Sequence, residues 1–146
     1  MPDFATSPGM ELMAVDPIRS WHAYMAAPTR EALDALLADH VVFQSPALHT
    51  PQEGKAVTMK YLTAATEVLG GSAFRYVGEW RAERSAVLEF ECALDGGIRV
   101  NGVDMVEWDE SGRITRFKVM IRPLKALNAV VSAMGAALAK LGQGSA

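Results

Sequence analysis

The stretch from Val100 to Ile114, VNGVDMVEWDESGRI, sets one acid among apolar neighbours on an alternating strand that runs into an Asp-Glu-Ser-Gly hairpin turn. A strand repeats every two residues, so Gly102, Asp104, Val106 and Trp108 share one face while Val103, Met105, Glu107 and Asp109 take the other. If Val106 and Trp108 face an interior, Asp104 faces it too. A carboxyl on an apolar wall is costly unless something uses it, which makes Asp104 the first candidate for a pocket acid. No cation adjoins it in sequence, so its pKa is expected to rise, leaving a neutral acid that donates to a ligand carbonyl or hydroxyl. The alternative is a structural acid bonded to backbone or to a sheet neighbour such as Asn101.

His49, in the loop Ala47-Leu48-His49-Thr50-Pro51, is the candidate base, because imidazole titrates near neutrality. A solvated loop histidine is the plain alternative. Trp21, Ser45, Tyr61, Phe90, Val106, Trp108 and Val119 are the candidate pocket residues, although bare aromatics on a helix are as often core. His22 adjoins Trp21 and is expected to face away from it or pack at the helix flank. The three histidines have no ligand spacing and Cys92 is the single cysteine, so the sequence calls for no metal, no cofactor and no internal disulfide. Cys92 alternates with Phe90 and Leu94, which reads as a buried, inert thiol.

Several elements must position these groups. Residues 1–15 show no periodicity and read as a flexible leader. Asp16-Pro17 is an N-cap followed by a first-turn proline, with Ile18, Trp21, His22 and Met25 at helical spacing before Pro28. Thr29 caps a second short helix with Leu33, Leu36 and Leu37 as its buried stripe. Val41 to Gln44 is a brief strand, and Ser45 to Gly54 is a loop. Lys55 to Leu69 is a third helix, stopped by Gly70-Gly71. From Phe74 the period becomes two, giving strands near 74–82, 85–94, 97–108 and 113–122, joined by Asp95-Gly96-Gly97 and Asp109 to Gly112. A last helix from about Leu124 to Leu141 carries the stripe Leu127, Val131, Met134, Leu138 and Leu141. Its remainder is mostly alanine. Helices followed by an antiparallel meander make an α+β chain, in which a curved antiparallel sheet wraps the N-terminal helices and leaves a cone-shaped cavity. The cone domain spans 16–125, and 126–146 form the C-terminal helix and tail.

At 146 residues, half of them hydrophobic, the chain suits one core. Its net charge of −3 and scattered basic residues argue against a nucleic-acid partner. The N-terminus lacks the pattern of a signal peptide, and no stretch reads as a membrane span, so a cytoplasmic protein without a membrane partner is expected.

These motifs resemble the SnoaL-like branch of the nuclear transport factor 2-like superfamily, whose members include ketosteroid isomerases and limonene epoxide hydrolases. The resemblance covers roughly residues 16–125 and is most specific in the turn Asp109 to Ile114 and the strand before it. It implies a cystatin-like α+β barrel. It also places Asp104 on the protonated acid that, in the isomerases, donates to the developing enolate oxygen. The family's base is an Asp before a Pro, eight residues ahead of a Gly; Phe43-Gln44-Ser45-Pro46 and Gly54 keep that spacing with Ser45 in the base position. The family's oxyanion-hole Tyr falls on Trp21. The second Asp of the epoxide hydrolases falls near Val119, where there is no acid. The resemblance therefore implies a pocket for a small, mostly apolar, oxygen-bearing ligand. It leaves open an isomerase, cyclase or hydratase with His49 or water as base, and equally a non-catalytic binding or dimerisation module. Lys118, Met120 and Arg122 fall on the outer sheet face, where this superfamily often forms dimers, and a homodimer through that face or the last helix is expected. Lys118 and Arg122 opposite Glu89 and Glu91 would pair charges there.

Overall fold

The computed structural model describes residues 16–71 and 73–144; the leader expected over 1–15 lies outside them. Asp16 caps the first helix, α1 (Pro17–Ala26), its Oδ1 accepting from the backbone N–H groups of Ile18 at 3.1 Å and Arg19 at 3.2 Å. That helix buries Ile18, Trp21 and Tyr24. Thr29 Oγ1 accepts from Ala32 N–H at 3.1 Å and starts α2 (Arg30–Leu36). The chain passes straight into β1 (Leu37–Gln44), earlier than the sequence suggested, because Leu37, Ala38 and Val41 are all buried. Gln52–Glu53 pairs with β1 as β2 inside the expected loop, and α3 (Lys55–Leu69) follows.

The meander is β3 (Arg75–Arg81), β4 (Ser85–Leu94), β5 (Ile98–Trp108) and β6 (Ile114–Arg122). One curved, unclosed sheet results, in the order β2-β1-β6-β5-β4-β3. Its pairs are antiparallel except β1 with β6, which run parallel. Leu88, Phe90, Val106, Phe117 and Val119 alternate inward and meet α1 and α3 in the core. A register shift between Tyr76 and Gly78 inserts Val77 as an extra residue in β3. Tyr76 pairs with inward Phe90, and past the bulge the inward pairs are Glu79 with Leu88 and Arg81 with Ala86. The bulge thus turns Trp80 outward, where it is 58% exposed.

The last helix, α4 (Leu124–Gly144), buries Ala126, Val130 and Ala137 rather than the larger residues of the expected stripe; Val131 is exposed. Small side chains let the helix lie close to the sheet and α3, and the bigger Leu127, Met134, Leu138 and Leu141 flank the contact half-buried. Ala126 and Val130 join the same core as the meander. The stretch Leu124–Gly142 has 19 residues at mean hydropathy 1.3, long and apolar enough to cross a membrane by length and composition. That corrects the reading that no stretch approaches a span: the alanines between Lys125 and Lys140 form no obvious apolar run but sum to one.

Candidate functional site

Between the concave face of the sheet and the helices lies a cavity of about 210 Å³, lined almost wholly by apolar side chains. Met25, Tyr61 and Leu69 come from the helices before the meander, Phe74, Phe90 and Val119 from the sheet side, and Met134 and Leu138 from α4. Ser45 to Leu48, Val131 and Gly135 also border it, and several of these are exposed, marking the side open to solvent. Phe90 can lie flat there because Gly102 faces it: a Cβ at Gly102 would sit 2.5 Å from Phe90 Cζ and 2.6 Å from the Met120 carbonyl oxygen.

Asp104 is inward on β5, between its register partners Leu88 and Val119, and only 6% exposed. Its partner is not Asn101, which donates instead to Glu89 Oε2 and the Phe90 carbonyl, both at 3.0 Å. Tyr76 donates its hydroxyl to Asp104 Oδ2 at 2.6 Å, and Trp21 donates its indole N–H to the Tyr76 oxygen at 2.8 Å. Three elements thus converge on one hydrogen-bonded chain, Trp21 to Tyr76 to Asp104. Burial pushes the Asp104 carboxyl from 3.8 up to about 7, with the Tyr76 bond pulling partly the other way. Burial and then the carboxylate beside it push the Tyr76 phenol up, against a smaller opposing effect of the Trp21 bond. Among the described residues, no Lys, Arg or His lines the cavity, and Asp104 is the group there that burial pushes up to about 7. Among the described residues, no cluster of three or more His, Cys, Asp and Glu side chains is arranged to hold a metal.

Of the residues singled out from sequence, Trp21, Ser45, Tyr61, Phe90, Asp104 and Val119 line this one cavity. Val106 and Trp108 do not. Val106 pairs with Ala86 and Phe117, and Phe117 packs 4.8 Å from the Trp21 ring, so that end of the cone is filled by side chains. Trp108 follows a register shift at Glu107 and lies partly buried against the core. His49 is exposed in its loop and does not line the cavity. Ser45 lines the open side with its Oγ accepting from Ala47 N–H at 3.0 Å, a local turn contact. His22 packs at the helix flank, outside the cavity lining: its ring meets Tyr76 edge-on at 5.1 Å, and Nε2 lies 3.0 Å from Glu79. Cys92 is a buried free thiol pushed up by burial.

Tyr76 was missed in the sequence. Alternation from Phe74 could have put it on the inner face, but the bulge at Val77 breaks that pattern just where it mattered.

A family model described as the SnoaL-like domain matches residues 18–117. The chain belongs to the SnoaL-like family. A search of curated proteins returns no match. Among solved structures, this SnoaL-like protein is similar to a steroid delta-isomerase from Pseudomonas aeruginosa, at 34% identity and TM-score 0.80 over 86% of this chain and 90% of that one. An uncharacterised protein with a cystatin-like fold from Silicibacter pomeroyi follows, at 29% identity and TM-score 0.76 over 85% of this chain and 86% of that one. The epoxide hydrolase/cyclase-like enzyme SalBIII shares the fold alone, at 13% identity and TM-score 0.58 over 73% of this chain and 90% of that one.

Proposed function

We propose that this protein binds a small, mostly apolar ligand bearing at least one oxygen, with Asp104 as its polar anchor. The observation that carries the reading is a single protonatable carboxyl, fed by Tyr76, in an otherwise apolar cavity. A buried acid that gains no cation costs stability, so its retention is best accounted for by use. Ligand pockets combine apolar walls with few convergent polar groups in this way. The test is thermal unfolding and calorimetry with matched compounds, a cyclic ketone or alcohol against its parent hydrocarbon. The oxygenated compounds should bind more tightly to the wild type, and Asp104→Leu should erase that preference. Equal binding of the hydrocarbon by the wild type would refute the anchor.

Whether chemistry follows binding is a second matter. The likeness to a protein described as a steroid delta-isomerase favours an isomerase, cyclase or hydratase acting on a polarised carbonyl. Ser45 in the base position favours the alternative, a binding module that keeps the fold without the reaction, because an unactivated hydroxyl cannot take a carbon-bound proton near neutral pH. One carboxyl cannot serve at once as base and as donor to the enolate oxygen. We favour binding without that isomerisation.

We further propose a soluble, cytoplasmic homodimer through the outer sheet face. Two register rows support it: Trp80, Val87, Met105 and Lys118, and beside them Gly78, Glu89, Val103 and Met120. Trp80 at 58% and Met120 at 49% exposure are large apolar groups left open to water. The expected pairing of Lys118 and Arg122 with Glu89 and Glu91 does not form within the chain, because β5 lies between: Glu91 pairs with Arg75, and Arg122 donates to Asn101. A twofold axis near β5 would bring the acids of β4 over the bases of β6 in a second copy.

A further inference from the structure

An indole nitrogen can only donate, and Trp21 spends its N–H on the Tyr76 oxygen at 2.8 Å. That contact fixes which way the phenol faces. Its own proton goes to Asp104 Oδ2 at 2.6 Å. Among the described residues, Asp104 Oδ1 has no hydrogen-bond partner. Among the described residues the one fully buried side-chain oxygen or nitrogen without a partner is Thr58 Oγ1, so Asp104 Oδ1 is not sealed in protein; it opens to the cavity that Asp104 lines.

We propose that Trp21 and Tyr76 are positioning residues that aim Asp104: they occupy Oδ2 and leave Oδ1 as the one carboxyl atom a ligand meets, making a site for an uncharged ligand with a single oxygen. The ligand half of this inference rests on the binding function proposed above; the aiming half does not. Trp21 and Tyr76, although both line the cavity, are then spent as donors, and Asp104 meets the ligand through one atom. Protonated, Oδ1 donates to a carbonyl. Ionised, it accepts from a hydroxyl and has nothing to offer a ketone. A ketone is therefore held only by the protonated atom, whereas the alcohol of the same skeleton is held in either state, accepting from the protonated acid and donating to the ionised one.

Asp104 is the group that can make this switch. From β4 and β6 it faces Leu88, Phe90, Phe117 and Val119, and α4 brings Val130, Met134 and Leu138 to the cavity. α3 contributes the Tyr61 phenol and α1 contributes Trp21; Tyr24 packs beside Trp21 outside the cavity lining, its hydroxyl 3.2 Å from Thr66 Oγ1. Cys92, also on β4, is a buried thiol pushed further from neutrality. Beyond Tyr76 sits His22, edge-on to the phenol ring and bonded to Glu79, which is in turn bridged to Arg81. None of these cations lines the cavity.

The experiment has two arms, both run on the wild type, Tyr76→Phe and Trp21→Phe. The first follows the Asp104 carboxyl by carbon NMR in the free protein as pH is raised. Tyr76→Phe removes the donor that favours the ionised form, so the midpoint should rise by about one pH unit. Trp21→Phe should shift it the same way by less, because the indole only strengthens the phenol as a donor. Midpoints that stay in place or fall in both variants overturn the aiming. The second arm measures 2-decalone and 2-decalol by calorimetry between about pH 5.5 and about pH 8.5. The ketone-to-alcohol affinity ratio should fall about tenfold or more across that range in the wild type, and at higher pH in Tyr76→Phe. A ratio independent of pH overturns the single-atom contact. Binding of neither compound, with the carboxyl midpoint shifted as expected, removes the ligand reading and leaves the aiming standing.

Discussion

Replacing Asp104 by Asn keeps the shape, an acceptor for Tyr76 and a donor toward the cavity, and deletes only the ionisation. The folded protein holds this carboxyl at about 7 against an ordinary value of 3.8. Below pH 3.8 both folded and unfolded states keep the proton, and the acid costs nothing. Between 3.8 and about 7 the unfolded chain has released its proton while the folded protein retains it, so rising pH favours unfolding. Above about 7 both states are ionised and the loss is complete. Roughly three pH units at about 1.4 kcal/mol each amount to about 4 kcal/mol, a large part of the stability of a domain this size. Unfolding free energies from denaturant titrations at a series of pH values, for wild type and Asp104→Asn, give a difference curve in which all other groups cancel. That curve should favour the Asn variant increasingly through the stated window and then level off. A flat difference, or one that favours the wild type as pH rises, would mean that Asp104 is an ionised structural partner, and the reasoning from burial would be wrong.

Steroid isomerisation should be weak in the wild type, since loss of a general base costs about 10²–10⁴-fold; turnover of a 5-ene-3-ketosteroid checks this, and Ser45→Asp should raise it. Wild-type rates matching authentic isomerases would refute the alignment of Ser45 with the base. Light scattering should give twice the 15.7 kDa chain mass, falling to the single mass in Trp80→Lys/Met120→Lys if the outer face is the interface. Gly102→Ala should destabilise by about 1–3 kcal/mol and displace Phe90, because the new Cβ meets a backbone carbonyl oxygen as well as the ring. Equilibrium unfolding measures the first effect; an unchanged stability would refute the close packing.

Much of this architecture could be read directly. Asp16-Pro17 and Thr29 mark helix starts by capping chemistry, and Asp95-Gly96-Gly97 and Asp109 to Gly112 mark hairpins by turn chemistry, all local effects that depend on a few neighbours. Asp104 was legible for the same reason, as period two fixes its face once Val106 is inside. Its partner was not. Tyr76 reaches Asp104 across β4, a tertiary contact behind a bulge that no alternation pattern reveals. Val106 and Trp108 share the face of Asp104, yet the face passes from open cavity to packed core within one residue pair. Periodicity gives the face of a residue but not how far a cavity extends along it. On α4 the sizes of side chains misled, because close helix packing buries alanines and leaves larger residues at the flanks.

A ligand oxygen inside the cone should meet Asp104. A crystal structure of the protein soaked with 2-decalone at mildly acidic pH tests it most directly. The ketone should lie in the cavity with its oxygen about 2.5–3.0 Å from Asp104 Oδ1, and the Tyr76 hydroxyl should remain on Oδ2. A ketone oriented with its oxygen toward Ser45 and the open side, or a cavity closed by its own side chains, would contradict it.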